Sequence, residues 1–217
     1  MSIPMVTSIA NEPVHLYAQR GLYVPRLGVL LITDTHWGKA STFRRAAIPV
    51  PTGDLAGDLA RLDTLIAATH PRRLIVLGDL VHAARGYEPM MLGEIGAWRT
   101  RNADLPITLV RGNHDTHAGD PPRDWDIDVY DAPYLLPPFV LMHYPARHEA
   151  GYVLSGHLHP AVQLVGKGRQ KLKLPCFWIQ RYHTVLPAFG SFISHMTVTA
   201  RESDRVYVIA DQDVIAV

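Results

Sequence analysis

The chain has 217 residues and is 47% hydrophobic, which is enough for the core of one domain, and we expect residues 1–217 to form that domain. Its formal net charge of +1 argues against attraction of nucleic acid by the surface as a whole, so such binding must come from local patches. The single cysteine, Cys176, excludes an intramolecular disulfide, and no secretion signal or membrane-length apolar run is visible, so the cytoplasm is the predicted location.

The predicted elements alternate between strands and helices first and are nearly all strands afterwards. The alternating part comprises a hairpin at 14–24, buried strands at 28–33, 74–77 and 107–110, and helices at 54–69 and 88–102. Residues 120–133 indicate a surface excursion with a short strand at 127–130. Further strands are predicted at 139–142, 152–154, 162–165, 172–179, 184–186 and 206–217. The first part calls for a mainly parallel sheet covered by helices, on which the all-β part can pack as a second sheet.

Five short segments, nearly all after an apolar run, end in residues of metal-ligand type. They are Asp34-Thr-His36, Gly78-Asp79, Gly112-Asn113-His114-Asp115, His143 and Gly156-His157-Leu-His159. Taken singly, most of these patterns are weak, because the aspartates could be helix caps and a lone histidine is more often structural. The Gly-Asn-His-Asp motif is more specific, although it could also be a turn with a polar His-Asp pair at the surface. Together they predict strand tips that converge at one sheet edge. Oxygen and imidazole ligands without thiolate suit a pair of Mn²⁺, Fe or Zn²⁺ ions.

The order D-x-H, G-D, G-N-H-D, H, G-H-x-H resembles that of the calcineurin-like metallophosphoesterase superfamily, over the stretch from Asp34 to His159. The resemblance implies an α/β fold, a four-layer α/β/β/α sandwich. It also implies two metal ions bridged by Asp79. The ligands of one ion would be Asp34, His36 and His159, and those of the other would be Asn113, His143 and His157.

The same resemblance places catalytic residues beside the ions. Two cations roughly 3.5–4 Å apart can clamp a phosphate oxygen and acidify a bridging water, and the resulting hydroxide would attack phosphorus in line. His114 would stabilise the developing charge or protonate the leaving oxygen, with Asp115 orienting it. Many members read G-D-x-x-D at the second motif, whereas this chain has His82 where the second acid stands. That exchange keeps the metal ligands but should alter the pKa of His114 or the substrate contacts.

Longer stretches narrow the resemblance to the bacterial ligase-associated DNA damage response endonuclease family. They are Thr33-Asp-Thr-His-Trp-Gly-Lys-Ala40, Phe43-Arg-Arg-Ala-Ala-Ile-Pro-Val-Pro51, Gly78-Asp-Leu-Val-His82, Leu174-Pro-Cys-Phe-Trp178 and Leu186-Pro-Ala-Phe-Gly190. In that family His82 is the ordinary form of the second motif. The resemblance implies a Mn²⁺-dependent phosphodiesterase of DNA repair that works beside an ATP-dependent DNA ligase and a helicase.

Several cations and aromatic side chains are candidates for contact with a nucleic-acid substrate. The predicted substrate-binding residues are Lys39, Arg44, Arg45 and Arg111, although Arg111 could instead pair with an acid. A predicted hairpin carries a basic cluster, which could follow a phosphate backbone or merely keep an edge strand in solvent: Lys167, Arg169, Lys171 and Lys173. Three aromatic residues could stack on bases but are more often core residues in a β-sandwich: Trp37, Phe43 and Trp178.

Three functions compete on the sequence alone. The leading hypothesis is a DNA endonuclease with two metal ions. The second is a phosphodiesterase or phosphatase for a small molecule, such as a cyclic or dinucleotide. The third is a scaffold without catalysis, which should show gaps in its ligand set, and the sequence shows no such gap.

Overall fold

Two β-sheets packed face to face form the centre of the fold. The structure is a computed structural model that describes residues 3–45, 54–165, 168 and 170–217. The first sheet contains seven strands in chain order, β1 Met5–Ile9, β2 Glu12–Tyr17, β3 Gly21–Val24, β4 Val29–Ile32, β5 Arg73–Val76, β6 Ile107–Val110 and β7 Ile127–Tyr130. Neighbours from β1 to β4 are antiparallel, and those from β4 to β7 are parallel.

The second sheet contains nine strands in a mixed order. They are β8 Tyr134–Leu136, β9 Phe139–Leu141, β10 Tyr152–Ser155, β11 Pro160–Val165, β12 Lys171–Ile179, β13 His183–Val185, β14 Met196–Thr197, β15 Arg205–Ala210 and β16 Asp213–Ala216. Their spatial order is β14-β11-β12-β13-β10-β9-β8, and the β15–β16 hairpin also pairs with β12. Strands β9 and β10 are parallel, so their carboxyl ends lie at one edge.

In the part of the chain that the structure describes, four α-helices lie between strands of the first half. They are α1 Lys39–Arg45, α2 Asp54–Thr69, α3 Pro89–Arg101 and α4 Asn113–Ala118, and short 3-10 turns occur at Ala84–Gly86 and Arg123–Trp125. None of the described helices is both long enough and apolar enough to cross a membrane.

Alternation along the strands builds separate cores on the two faces of the first sheet. In β4, Leu31 lies in the cluster between the two sheets, whereas Leu30 and Ile32 lie in the cluster with the helices. Helices α2 and α3 supply that second cluster with apolar residues at helical spacing. The outer face of the second sheet carries a smaller cluster around buried Cys176. The predicted α/β sandwich is therefore confirmed, and both long described helices pack on its first sheet.

Most predicted elements appear within one or two residues of their predicted limits. The predicted last strand, 206–217, is instead the β15–β16 hairpin, with Asp211 in a left-handed conformation at its turn. Strand β1 and the short helices α1 and α4 were not predicted. Two predictions on the basic hairpin, Lys167 and Arg169, lie outside the described residues, as do the side chains of Arg44 and Arg45.

Candidate metal centre

The predicted metal ligands follow five strands whose carboxyl ends meet at one edge of the sandwich. The first sheet contributes the segments after β4, β5 and β6, which are parallel neighbours. The second sheet contributes the segments after β9 and β10. Backbone hydrogen bonds from Asp34 N to Gly78 O (3.0 Å) and from His36 N to Asp79 O (2.9 Å) hold the first two segments together beyond their strands. Residues far apart in sequence are thus gathered into one cleft.

One cluster of ligand atoms consists of Asp34, His36 and His159. Nε2 of His159 lies 3.3 Å from Oδ1 of Asp34 and 3.4 Å from Nε2 of His36. Asp34 is fully buried, and its Oδ2 accepts hydrogen bonds from the Thr33 hydroxyl (2.8 Å) and from the backbone N–H of His157 (3.0 Å). Its Oδ1 has no hydrogen-bond partner. A buried carboxylate oxygen without a donor is costly unless a cation faces it.

A second cluster consists of Asp79, Asn113, His143 and His157. Nε2 of His143 lies 3.4 Å from Oδ2 of Asp79 and 3.1 Å from the amide oxygen of Asn113. Nδ1 of His157 lies 3.2 Å from the same nitrogen. Ligand atoms of the three residues Asp79, His143 and His157 all lie within 4.8 Å of one another, as do those of the first cluster.

A single oxygen of Asp79 faces both clusters. Its Oδ2 lies 3.6 Å from Nε2 of His36 and 3.4 Å from Nε2 of His143. Its Oδ1 accepts a hydrogen bond from the backbone N–H of His114 (2.9 Å), which fixes the carboxylate plane. This is the geometry that a bridging ligand needs.

Backbone carbonyl groups set the ring orientation of two of the histidines. Nδ1 of His143 donates to the carbonyl oxygen of Leu77 (2.9 Å), and Nδ1 of His159 donates to that of Ser194 (3.0 Å). Because a carbonyl oxygen can only accept, these contacts place a proton on Nδ1 and direct Nε2 toward the cluster, where it can bind a metal ion once it carries no proton. The sequence gives no signal for either carbonyl group, since any residue type can supply one.

The metal-binding segments have an unusual backbone. Positive φ angles occur at Asp34 (53°), His36 (45°), Asp79 (55°), His157 (69°) and His159 (47°). In residues other than glycine, such a conformation costs roughly 1–3 kcal/mol, so it persists only where the surrounding structure enforces it. Conformations of this kind are concentrated at functional sites. The backbone of these segments therefore orients the ligand side chains toward the clusters and lowers the stability of the fold.

Two glycines let the segments approach closely. Gly78 has a φ of 81°, and a side chain there would collide with the His143 ring. At Gly156 a Cβ atom would overlap the side chains of Thr33 and Asp34. Glycine is thus required at both positions if the two sheets are to bring their ligands together.

The charges of the buried groups favour bound cations. Burial lowers the pKa of His36 to about 2 although Asp79 opposes this, so its ring is neutral. Burial also lowers the pKa of His143, but the hydrogen bond and charge of Asp79, with Asp34, outweigh it and raise that pKa to about 9. Burial alone would raise the pKa of Asp79, yet His143 holds it at about 2. Ionised carboxylates with imidazole and amide donors fit divalent ions, and an ion near His143 would take the place of its proton.

His82 and His114 form a pair beside the first cluster. Their rings are stacked with centroids 4.7 Å apart, and Nδ1 of His114 donates to the backbone carbonyl of His82 (2.6 Å). Nδ1 of His82 lies 3.3 Å from Nδ1 of His36, and the three histidines form a further group of ligand type. Burial, with the charge of His114, lowers the pKa of His82 to about 4. His114 therefore keeps Nε2 available next to the metal clusters.

The Asp115 carboxylate lies among backbone amide groups. Its buried carboxylate accepts three backbone N–H groups, those of Asp79 (2.7 Å), Leu80 (2.9 Å) and Gly112 (2.8 Å). The group that orients the His114 ring is instead the His82 carbonyl. Asp115 thus ties the turn after β6 to the turn after β5, and it acts on the site through the backbone.

Of the predicted substrate cations, Arg111 is placed differently from Lys39. Arg111 donates to Asp120 from Nε and Nη2 (2.8–3.0 Å) and to Asp131 from Nη1 (2.8 Å), so it adopts the acid-paired alternative rather than a free phosphate contact. Lys39 starts α1 directly after the first ligand segment. Burial lowers the pKa of Lys39, and the charge of Asp79 opposes this shift.

The three candidate stacking aromatics occupy different environments. Trp37 is buried and packs edge-on against Trp125, so it belongs to the core. Trp178 packs against the outer cluster of the second sheet and donates to Asp204 (3.0 Å). Phe43 is half-buried, contacts Phe192 and has the His82 ring 6.5 Å away, which leaves it as the one of the three beside the cleft.

The sandwich with two carboxylate–histidine clusters at its edge defines a metal-dependent phosphoesterase. The chain belongs to the calcineurin-like phosphoesterase family, whose model matches residues 27–145. Among solved structures it is similar to the nuclease MPE of Pseudomonas putida, with 37% identity over 98% of this chain and 100% of that chain and a TM-score of 0.86. Yfce, a phosphoesterase from E. coli, matches with 18% identity over 87% of this chain and 96% of that chain, at a TM-score of 0.44. A comparison with curated proteins found no match.

Proposed function

We propose that this chain is a Mn²⁺-dependent phosphodiesterase that cuts DNA internally. The observation that carries the proposal is the Asp79 oxygen that faces both ligand clusters, because it provides for two ions side by side. The 37% identity to a nuclease over nearly the whole chain supports a nucleic-acid substrate. The inferred setting is DNA repair in the cytoplasm, beside an ATP-dependent DNA ligase and a helicase, in a single domain of residues 1–217.

The metal ligands in this proposal are the two clusters. Asp34, His36 and His159 would hold one ion, Asn113, His143 and His157 the other, and Asp79 both. When bound, a pair of divalent ions supplies charge stabilisation for a phosphoryl group and lowers the pKa of water. The same donor set accepts Mn²⁺, Fe or Zn²⁺, so the choice of Mn²⁺ rests on the family resemblance.

His114 is the proposed acid of the reaction. Its Nδ1 proton is committed to the His82 carbonyl, so Nε2 is the atom that can meet a phosphate oxygen or give a proton to the leaving oxygen. His82 stacks on the His114 ring and, being neutral near pH 7, adds little repulsion to a protonated His114. Lys39 adds a cation at the start of α1, where it can attract the substrate phosphate.

A substrate panel with added Mn²⁺ tests the proposal. We expect cleavage of circular single-stranded DNA, hydrolysis of bis(p-nitrophenyl) phosphate, and little action on p-nitrophenyl phosphate. Cutting of a circle distinguishes internal cleavage from attack on ends. Hydrolysis restricted to small diesters or mononucleotides would overturn the DNA assignment, and absence of both metal and activity would indicate a scaffold.

A further inference from the structure

The β11–β12 hairpin projects directly from the metal centre. Pro160, the first residue of β11, follows the proposed ligand His159, whose backbone carbonyl accepts a hydrogen bond from Met196 N (3.1 Å). At the far end of the described hairpin, Val165 pairs with Lys171. At about 3.3 Å per residue, β11 extends on the order of 15–20 Å from the ligand. The hairpin is therefore an arm that starts at the cleft.

Strand periodicity determines which face of this arm carries the lysines. Phe177 and Ile179 of β12 lie in the core between the two sheets, whereas Cys176 lies in the cluster on the outer face. Because side chains alternate along a strand, Lys173 and Lys171 lie on the same side as Phe177 and Ile179. That side faces the first sheet, whose strand ends contribute four of the seven proposed ligands.

A contact from Lys173 links this face to the metal centre. Its ammonium group donates to the backbone carbonyl of His195 (3.1 Å). The preceding carbonyl, that of Ser194, accepts the Nδ1 proton of His159. The Lys173 charge thus lies one residue away from a group that positions a proposed metal ligand, while Lys171 extends the basic face about 7 Å farther along the strand.

The arm has a composition that distinguishes it from the rest of a nearly neutral chain. No Asp or Glu occurs from Pro160 to Pro175, although the whole chain has 20 acidic residues against 21 basic ones. Lys171 and Lys173 are exposed, and among the described residues Lys171 forms no ion pair. Cations grouped along one strand attract a polyanion more strongly than isolated surface lysines do, and one described acid, Asp211, lines a pocket with Leu174 and Pro175.

We propose that the face of the β11–β12 arm bearing Lys171 and Lys173 binds the phosphate backbone of a DNA strand while the metal centre cuts it. This inference rests on the proposed nuclease function and names the surface along which the strand lies. Two lysines spaced along one strand suit successive phosphates and make no contact that depends on base sequence. A substrate with one phosphate at the metal centre would not reach them.

The test compares Lys171→Gln and the double variant Lys171→Gln/Lys173→Gln with wild type. The control is Arg101→Gln, an exposed cation at the end of α3, which leads to the opposite edge of the sheet. We expect kcat/KM for a 30-nucleotide single strand to fall about threefold in the single variant and about tenfold in the double variant near physiological salt. The slope of log(kcat/KM) against log[salt] should decrease by about 0.7 per lysine. Turnover of bis(p-nitrophenyl) phosphate should be unchanged in Lys171→Gln, whose side chain makes no described contact with the metal centre.

The alternative outcomes separate this inference from the function on which it rests. If both variants cut the oligonucleotide with the wild-type rate and salt slope, the arm does not bind DNA, and the nuclease proposal stands. If Lys171→Gln also lowers hydrolysis of the small diester, the arm acts on the metal centre itself, and backbone binding is wrong. If wild-type protein hydrolyses only the small diester, the nuclease function fails first.

Discussion

Asp79 is the residue on which the two-ion arrangement depends. Replacing it with alanine removes the only described oxygen that faces both clusters, so Asp79→Ala should lose bound metal as well as activity. Metal analysis of the purified protein measures the first effect and the bis(p-nitrophenyl) phosphate assay the second. Full activity in this variant would show that the ligand assignment is wrong.

His114 should behave differently from Asp79, because it lies beside the clusters without belonging to the proposed ligand set. His114→Ala is expected to retain metal and to lower kcat for DNA by about 10²–10⁴, the range typical of a lost general acid. The loss should be smaller for a diester with a good leaving group, such as p-nitrophenolate, since that group needs no proton. Equal losses on both substrates would contradict the acid role.

Asp115 illustrates a buried carboxylate whose contribution is to stability. Asp115→Asn replaces one of the two accepting oxygens by an amide that cannot accept, so at least one of three buried N–H groups loses its partner. We expect a loss of about 2–4 kcal/mol in the free energy of unfolding, measured by urea denaturation without metal. Asp128→Asn, which changes an exposed carboxylate in β7, is the matched control and should have little effect.

At the scale of elements, the strands that carry the ligands could be predicted because each is an apolar run, and all but β9 end in a polar segment that contains glycine. The turn at Asp211 escaped prediction because both flanking segments are apolar, so residues 205–216 resemble one strand until their pairing is known. The hydrogen bonds of Asp115 could not be predicted for a related reason. Its position next to His114 in sequence gave no indication that its partners are amide groups brought in by β5.

The segment after β13 supports the site although it contains no proposed ligand. Phe189 N and Gly190 N donate to the carbonyls of Thr33 and Asp34 (2.8 and 3.1 Å). On its other side, Nη1 of Arg20 donates to the carbonyls of residues 188–190, at 2.8 Å for Gly190. Burial lowers the pKa of Arg20 to about 10, so the guanidinium remains charged at neutral pH. Arg20 therefore holds this segment against the ligand turn.

Loss of this support should weaken metal binding without removing a ligand. For Arg20→Met we expect the Mn²⁺ affinity, measured by calorimetry, to fall about 10- to 100-fold, as for other outer contacts of metal ligands. Arg101→Met removes a comparable side chain from α3 and should leave the affinity unchanged. An unaltered affinity in Arg20→Met would show that the segment is held by its remaining contacts.

At the scale of the whole molecule, the buried acids and strained turns make stability depend on metal. Ions that bind only the folded chain should add about 2.7 kcal/mol for each site at 100 times its Kd. For a chain of this size that corresponds to an increase in Tm of roughly 5–10 °C per site, and EDTA should reverse it. Thermal unfolding with and without Mn²⁺ measures the shift, which should be absent in Asp79→Ala.

The division of the ligands between the sheets has a mechanical consequence. Four of the ligands follow strands of the first sheet, and the other three, His143, His157 and His159, follow strands of the second: the four are Asp34, His36, Asp79 and Asn113. An ion that is coordinated by ligands from both sheets opposes movement of one sheet relative to the other. A folding intermediate in which only one sheet has formed provides only part of the coordination shell. High affinity for metal therefore indicates that the two sheets have already packed together.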